Sequence, residues 1–382
     1  MHRRLLTVVM VALLATAGVP ALGGTVAAQD DSANATCGYP FTATDATGTE
    51  VTVDEEPERV VVVGASGTQT MWEIGAQDKV VGLYNSPYTS YLDGAENVTN
   101  VATSLGYADV EKVLAQDPDL VLLANIQKDS TAEKLRQNGT TVFKFESATS
   151  FQDIYEKTRL TGKLVGNCEG AEETVTWMQN QVQKVQEATA DVENKSMHYS
   201  QGSGYAPGPD SFITDIMRTA GAHNIILNGD FSGPTASDVS GEFVIQQNPE
   251  WLLASYNPAM VNETPNGTAA LESVATDALK QTQAYQNGNI VVVNSNYLSQ
   301  PAPRVVYPLV DITKALHPDA WEAVNSTTTT TTSTTTSSSG TTAAADTTTA
   351  ATTTDAEGST PGFGVLGALA ALAGAFVVAR RR

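Results

Sequence analysis

Gly64-Ala65-Ser66-Gly67 is the place in this chain where a nucleophile or a phosphate cradle would first be sought, because small residues there follow a β-branched run. A nucleophile elbow needs Gly-x-Ser-x-Gly, yet Thr68 stands where Ser66 would need its second glycine, and Gln201 where Ser203 would need its first. The loop also lacks the full dinucleotide pattern, and no Walker lysine appears. His198, His223 and His317 show no ligand spacing with Cys37 or Cys168, which argues against a metal site. The expectation is a chain with no catalytic residues, no metal and no cofactor. What remains is recognition chemistry, carried by tyrosines and asparagines in loops: aromatic faces for an apolar partner, hydroxyls and amides for its polar rim.

The elements that must position those loops follow one grammar, used twice. The run Arg59–Val63 reads as a strand, Thr68–Ile74 as a helix ending at Gly75, and Lys79–Leu83 as a second strand. A helix over Val110–Ala115, a strand through Pro118–Leu123, a helix over Thr131–Gln137 and a strand over Thr141–Phe145 complete a parallel α/β lobe. The order returns with a strand at Ser196–Ser200, helices at Ser211–Thr219 and Glu242–Gln247, and strands at Pro249–Ala254 and Asn289–Val293. Between the halves, Ser150 to about Val192 contains no proline and has helical apolar spacing from Ile154 to Val185, with a possible break at Gly166–Gly170. The predicted fold is α/β, two Rossmann-like lobes joined by a long connector helix, with a ligand cleft between them and little hinge motion.

Charge and termini set the surroundings. The 382 residues hold 42 acidic against 21 basic side chains, a net charge of −21, which argues against nucleic acid as a partner. Five of the basic residues lie at the chain ends, so the middle is more acidic still. Such self-repulsion is tolerable where salt shortens the Debye length to about 3 Å, which points to a halophilic source. Residues 1–28 read as a signal peptide: His2-Arg3-Arg4, an apolar run, then Val26-Ala27-Ala28. Residues 29–57 form an N-terminal extension, 58–148 the first lobe, 149–193 the connector, 194–325 the second lobe, 326–360 a Thr-rich stalk, and 361–382 a sorting and membrane segment. The last resembles the archaeal PGF-CTERM signal, through Pro361-Gly362-Phe363, an apolar stretch and Arg380-Arg381-Arg382. That resemblance implies anchorage at the C-terminus on the extracellular face of the cytoplasmic membrane. Sequons start at Asn34, Asn97, Asn138, Asn194, Asn262, Asn266 and Asn325, as in an exported glycoprotein. Export also makes a Cys37–Cys168 disulfide possible, which would pin the extension to the middle of the chain; two buried free thiols are the alternative.

The span from about Glu58 to Trp321 resembles the helical-backbone class of ABC-transporter substrate-binding proteins, those for cobalamin, ferric siderophores and haem. The matching pieces, in order, are Arg59-Val60-Val61-Val62, Gly75–Gly82, Val110–Leu114 leading into Asp117–Val121, the connector, Ala220–Asn224, and Val239–Glu242 leading into Asn248-Pro249-Glu250. The resemblance implies an ABC permease and its ATPase as partners, and a small-molecule ligand. It places permease-docking carboxylates at Glu111 and Glu242, each in the first turn of a helix, where the helix dipole alone would also favour an acid. The ligand belongs among the loops at the strand ends. The candidates are Ser66, Tyr84, Asn85, Tyr88 and Tyr107 in the first lobe, and Tyr205, Phe231, Tyr256, Asn296, Tyr297 and Arg304 in the second. Where the family often has a ligand-contacting tryptophan, this chain has Leu105 and Ala236. An anionic ferric siderophore calls for several arginines and Arg304 has little basic company, so charge favours cobalamin or a related corrinoid. Haem lacks a Tyr and His pair to hold its iron. A structural cell-surface glycoprotein is the competing class; it accounts for the stalk but not for two lobes.

Overall fold

Cys37 is bonded to Cys168 across 131 residues, and a bridge closing so long a loop constrains the unfolded chain by about 5 kcal/mol on loop-entropy grounds. The computed structural model describes residues 37–331 apart from Asn262. The signal peptide, the sorting segment, most of the Thr-rich tract and the sequons at Asn34 and Asn262 lie outside the described residues. Beyond Cys37 the extension forms a hairpin, β1 (Phe41–Thr44) against β2 (Glu50–Val53), with Phe41 opposite Val53. Its turn is tied to the first lobe by the buried Asp45, which pairs with Arg136 and accepts from the backbone N–H of Lys144.

The first lobe is a five-stranded parallel sheet: β3 (Val60–Val63), β4 (Val80–Leu83), β5 (Thr99–Asn100), β6 (Leu120–Leu123) and β7 (Thr141–Lys144), in spatial order β5-β4-β3-β6-β7. β3 and β6 are buried along their whole length, as central strands covered on both faces must be. Val60, Val62, Leu120 and Leu122 face Met71, Leu164 and Val165; Val61, Val63, Val121 and Leu123 face Val113 and Leu135. The covering helices are α1 (Ala65–Glu73), α2 (Val110–Leu114) and α3 (Asp129–Gln137).

The connector breaks within the glycine-containing stretch Gly166–Gly170 and reverses there. α4 (Phe151–Val165) starts in the second lobe's core with Phe151, Ile154 and Tyr155 and ends in the first lobe's with Leu164 and Val165. Gly166, at φ +82°, stops it in a left-handed turn that a side chain would disfavour, and Asn167 caps the next helix by accepting from the N–H of Gly170. α5 (Cys168–Thr189) then runs back, from Ala171 in the first core to Val185 and Ala188 in the second. Arg159 of α4 grips Glu172 of α5 through two hydrogen bonds of 2.7 and 2.8 Å. The strut between the lobes is therefore doubled, and α5, at 22 residues, is about 33 Å long.

The second lobe contains β8 (Lys195–Tyr199), β9 (Ala206–Pro207), α6 (Phe212–Thr219), β10 (Ala222–Asn224), β11 (Thr235–Ala236), α7 (Gly241–Gln247) and β12 (Trp251–Tyr256). It continues through α8 (Gly267–Leu271), α9 (Asp277–Lys280), α10 (Gln283–Asn287), β13 (Ile290–Asn294), α11 (Ser295–Leu298), α12 (Val306–Leu316) and α13 (Pro318–Thr331). Its parallel sheet has the order β10-β8-β12-β13. Both lobes place their first strand inside the sheet, with later strands added on either side of it, one with five strands and one with four. α13 reaches Thr331, into the Thr-rich tract. Among the described residues no helix is long and apolar enough to cross a membrane.

One core residue makes the fold acid-sensitive. His198 on β8 is 3 % exposed, its Nδ1 has no hydrogen-bond partner, and burial pushes its pKa down from 6.5 to about 4. Unfolded chain therefore binds this proton between about pH 6.5 and pH 4 while folded chain does not, so stability present above that window is lost as pH falls through it. The loss is about 3 kcal/mol. Urea titrations at pH 7 and pH 4 are expected to show that loss in the wild type and a shallower one in His198→Leu; equal slopes would refute the assignment.

Candidate functional site at the carboxyl ends of the two sheets

Of the large apolar side chains exposed among the described residues, six lie in loops leaving the carboxyl ends of strands: Leu105, Tyr107, Ile126, Tyr205, Met260 and Val261. Leu105 is 79 % exposed, and Ile126 and Met260 65 % each. Exposed apolar side chains at the carboxyl ends of parallel strands form a rim of the kind where ligands of open α/β folds bind. Buried side chains hold the rim in shape. Gln127, 2 % exposed, accepts from the N–H of Ala108 and donates to the carbonyl of Gly106, both at 2.9 Å, so the loop carrying Leu105 and Tyr107 is fixed beside Ile126. Gly106 lets that loop lie on Tyr84; a Cβ there would come within 3.1 Å of the ring. In the second lobe, Asn257 accepts from the N–H of Ala259 at 2.9 Å and shapes the turn that presents Met260.

The lobes meet below this rim. Gln69 donates to Tyr91 Oη at 2.6 Å and to the carbonyl of Asn296 at 3.4 Å, and accepts from the N–H of Arg304 at 2.8 Å. Arg304 Nε donates to Glu73 at 2.6 Å, with its guanidinium 5.1 Å from the Tyr91 ring centre and 5.6 Å from that of Tyr297. Burial opposes the charge on Arg304, but Glu73 and the two tyrosines outweigh it and its pKa is raised. Lys157 of α4 donates to Ser66 Oγ at 2.9 Å and to the carbonyl of Pro301 at 3.3 Å, and burial lowers its pKa to about 8. Asn257 spans the seam from the second lobe, reaching Pro87 O at 3.4 Å and Asn296 Oδ1 at 3.1 Å.

Comparison with known proteins supplies the family. Residues 60–297, more than half the chain, match the periplasmic binding protein family. The chain belongs to that family. A protein of Halobacterium salinarum named as a cobalamin-binding protein is 42 % identical over the full length of both chains, in each of two strains. A Bacillus subtilis protein named as an uncharacterized ABC transporter substrate-binding lipoprotein, YvrC, is 25 % identical over 74 % of this chain and 88 % of its own. Among solved structures, the periplasmic heme-binding protein RhuT of a Roseiflexus species shares the fold, with a TM-score of 0.58 at 19 % identity, covering 69 % of this chain and 99 % of that one. The relatives named here are binding proteins or transporter components.

In this periplasmic binding protein the eleven residues expected at the ligand fall into two groups. Tyr84, Asn85, Tyr88, Tyr107, Tyr205 and Tyr256 stand at or beside strand ends; Tyr84, Tyr88 and Tyr256 are half-buried, and Tyr256 Oη accepts from Thr264 at 3.1 Å. Tyr88 of the first lobe lies close to Tyr199 of the second, whose pKa is raised by burial, against the hydrogen bond with Ser255 and with help from Tyr88. The others are drawn inward. Ser66 holds Lys157, Asn296 is fully buried, and Tyr297 and Arg304 sit in the seam. Phe231 packs edge-on against Phe243, with ring centres 5.4 Å apart. Among apolar rim residues, Ile126, Met260 and Val261 escaped the sequence reading, and their signal was an apolar side chain in an otherwise polar loop just past a strand. Glu111 and Glu242 are exposed in the first turns of α2 and α7, capped by Asp109 and Ser240. None of the chain's four tryptophans is in the rim, and the described residues include no His, Cys, Asp or Glu group able to hold a metal.

Proposed function

We propose that this protein captures cobalamin or a related corrinoid outside the cell and delivers it to an ABC permease, docking through Glu111 and Glu242, and that it is not an enzyme. The observation that carries the ligand class is the fate of Arg304. It was the main cation expected at the ligand, and it is spent on Glu73, so apart from Lys128, which lies over the Tyr107 ring at 5.3 Å, the site offers apolar surface, phenols and amides. That suits a bulky, nearly neutral macrocycle better than an anionic ferric complex. The name borne by the Halobacterium salinarum relative, 42 % identical end to end, supports the same ligand.

The setting we propose is the outer face of the membrane of a halophilic archaeon, reached through the signal peptide and held by the Pro361-Gly362-Phe363 sorting segment beyond the Thr-rich stalk. Asn97, Asn138, Asn194 and Asn266 are exposed, as glycan acceptors need to be. Titration of the tail-less protein at molar salt with cyanocobalamin, an anionic ferric siderophore and haemin tests the ligand. Saturable binding of the corrinoid alone is expected. Preference for either iron compound moves the protein to another ligand class, and no binding at all leaves the structural glycoprotein.

A further inference from the structure

We infer that Arg304 is a positioning residue, the strap that fixes the aperture between the lobes, and that it acts on ligand without touching it. Three residues on one face of α1, at i, i+3 and i+7, are fastened to a single segment of the second lobe: Ser66 through Lys157 to Pro301, Gln69 to Asn296 and Arg304, and Glu73 to the Arg304 guanidinium. The ion pair is the charged end of this row. It is three-quarters or more buried on both sides, and the guanidinium lies near Tyr91 of the first lobe and Tyr297 of the second, which themselves meet edge-on at 5.6 Å. Tyr91 stays neutral, its pKa pushed to about 12 by burial, so it accepts from Gln69 without competing for the arginine as an anion.

A seam made of such bonds has two properties an apolar seam would lack. It is directional, so it specifies one relative setting of the lobes; and it is breakable at single points, because losing either partner leaves the other charge largely buried and unpaired. The doubled strut fixes how far apart the lobes stand, while the row on α1 fixes how they are tilted about it. The apolar rims carried by the two lobes are therefore held at one separation before any ligand arrives, and Arg304 contributes to affinity by preorganisation.

The test has one arm without ligand and one with it; only the second rests on the proposed corrinoid reading. Spin labels at Lys134→Cys and Gln246→Cys, exposed sites on the two lobes, report the interlobe distance. Arg304→Gln and Glu73→Gln are each expected to broaden that distribution in the ligand-free protein, the double variant no further than either single one, and Arg304→Lys to restore part of it. An unchanged distribution in the glutamine variants would overturn the strap. In cobalamin binding, both single variants are expected to raise the dissociation rate about tenfold, again without adding in the double variant. If Arg304→Gln weakens binding while Glu73→Gln does not, the arginine touches ligand and the inference fails. If the unmutated protein binds no corrinoid, the proposed ligand falls and the distance measurements alone decide the strap.

Discussion

Replacing Glu111 and Glu242 together by arginine is expected to abolish corrinoid uptake by cells while leaving the Kd of the purified protein within about twofold. The two carboxylates stand one on each lobe, exposed, in the first turns of short helices whose other ends lead into β6 and β12. Paired charges on two rigid bodies fix an encounter orientation, and reversing both converts attraction into like-charge repulsion across the whole docking face. Each substitution also puts a cation at a helix N-terminus, which costs about 0.3–1 kcal/mol and is too small to unfold the protein. The single variants should each retain reduced uptake, because one correct contact still biases the orientation. Uptake by cells carrying each variant, with binding by the same purified protein, separates the roles. Lost affinity would place the carboxylates at the ligand, and full uptake would leave them as ordinary first-turn acids.

How much of this was legible beforehand depended on whether the deciding contact is local. β3 and β6 announce themselves as apolar runs because a strand covered on both faces can carry nothing else. Gly166 signals a helix end, though the sequence alone leaves open that the chain reverses there; the reversal follows from Arg159 meeting Glu172 and from both helices burying one side in each core. β10 is three residues long, too short for any alternation to show, and it is a strand because it lies against β8. The site was half legible for the same reason. Tyrosines past strand ends were visible as a class, but Arg304 finds Glu73 at a separation of 231 residues, and no spacing rule reaches that far. Asn296 has a similar history, since its burial is made by α1 and by Asn257. Ile126 and Met260 of the apolar rim could have been noticed as apolar residues in polar loops; how those loops are held follows only from the folded chain, where Gln127 meets Ala108 and Asn257 meets Pro87.

That rim supports the second large expectation. Ile126→Asp combined with Met260→Asp should weaken cobalamin binding by more than a hundredfold and leave thermal stability nearly unchanged. Both side chains are 65 % exposed in the free protein, so the fold does not depend on them and surface substitutions there cost about 0.5 kcal/mol or less. A ligand that covers them gains roughly 1.5–3 kcal/mol for each side chain fully buried, and an aspartate in the same place must instead be desolvated against an apolar face. A hundredfold loss corresponds to about 2.8 kcal/mol, which partial burial of the pair already supplies. Leu227→Asp and Ile245→Asp provide the comparison, because both wild-type residues are 41 % exposed, equally apolar, and outside the loops that carry the rim, Leu227 in the single turn after β10 and Ile245 on α7. Those variants should bind as the wild type does. Equal losses at all four positions would mean that added charge, and not the rim, governs affinity. No loss at Ile126 and Met260 would mean that the ligand lies elsewhere, with the exposed apolar surface left to some other contact.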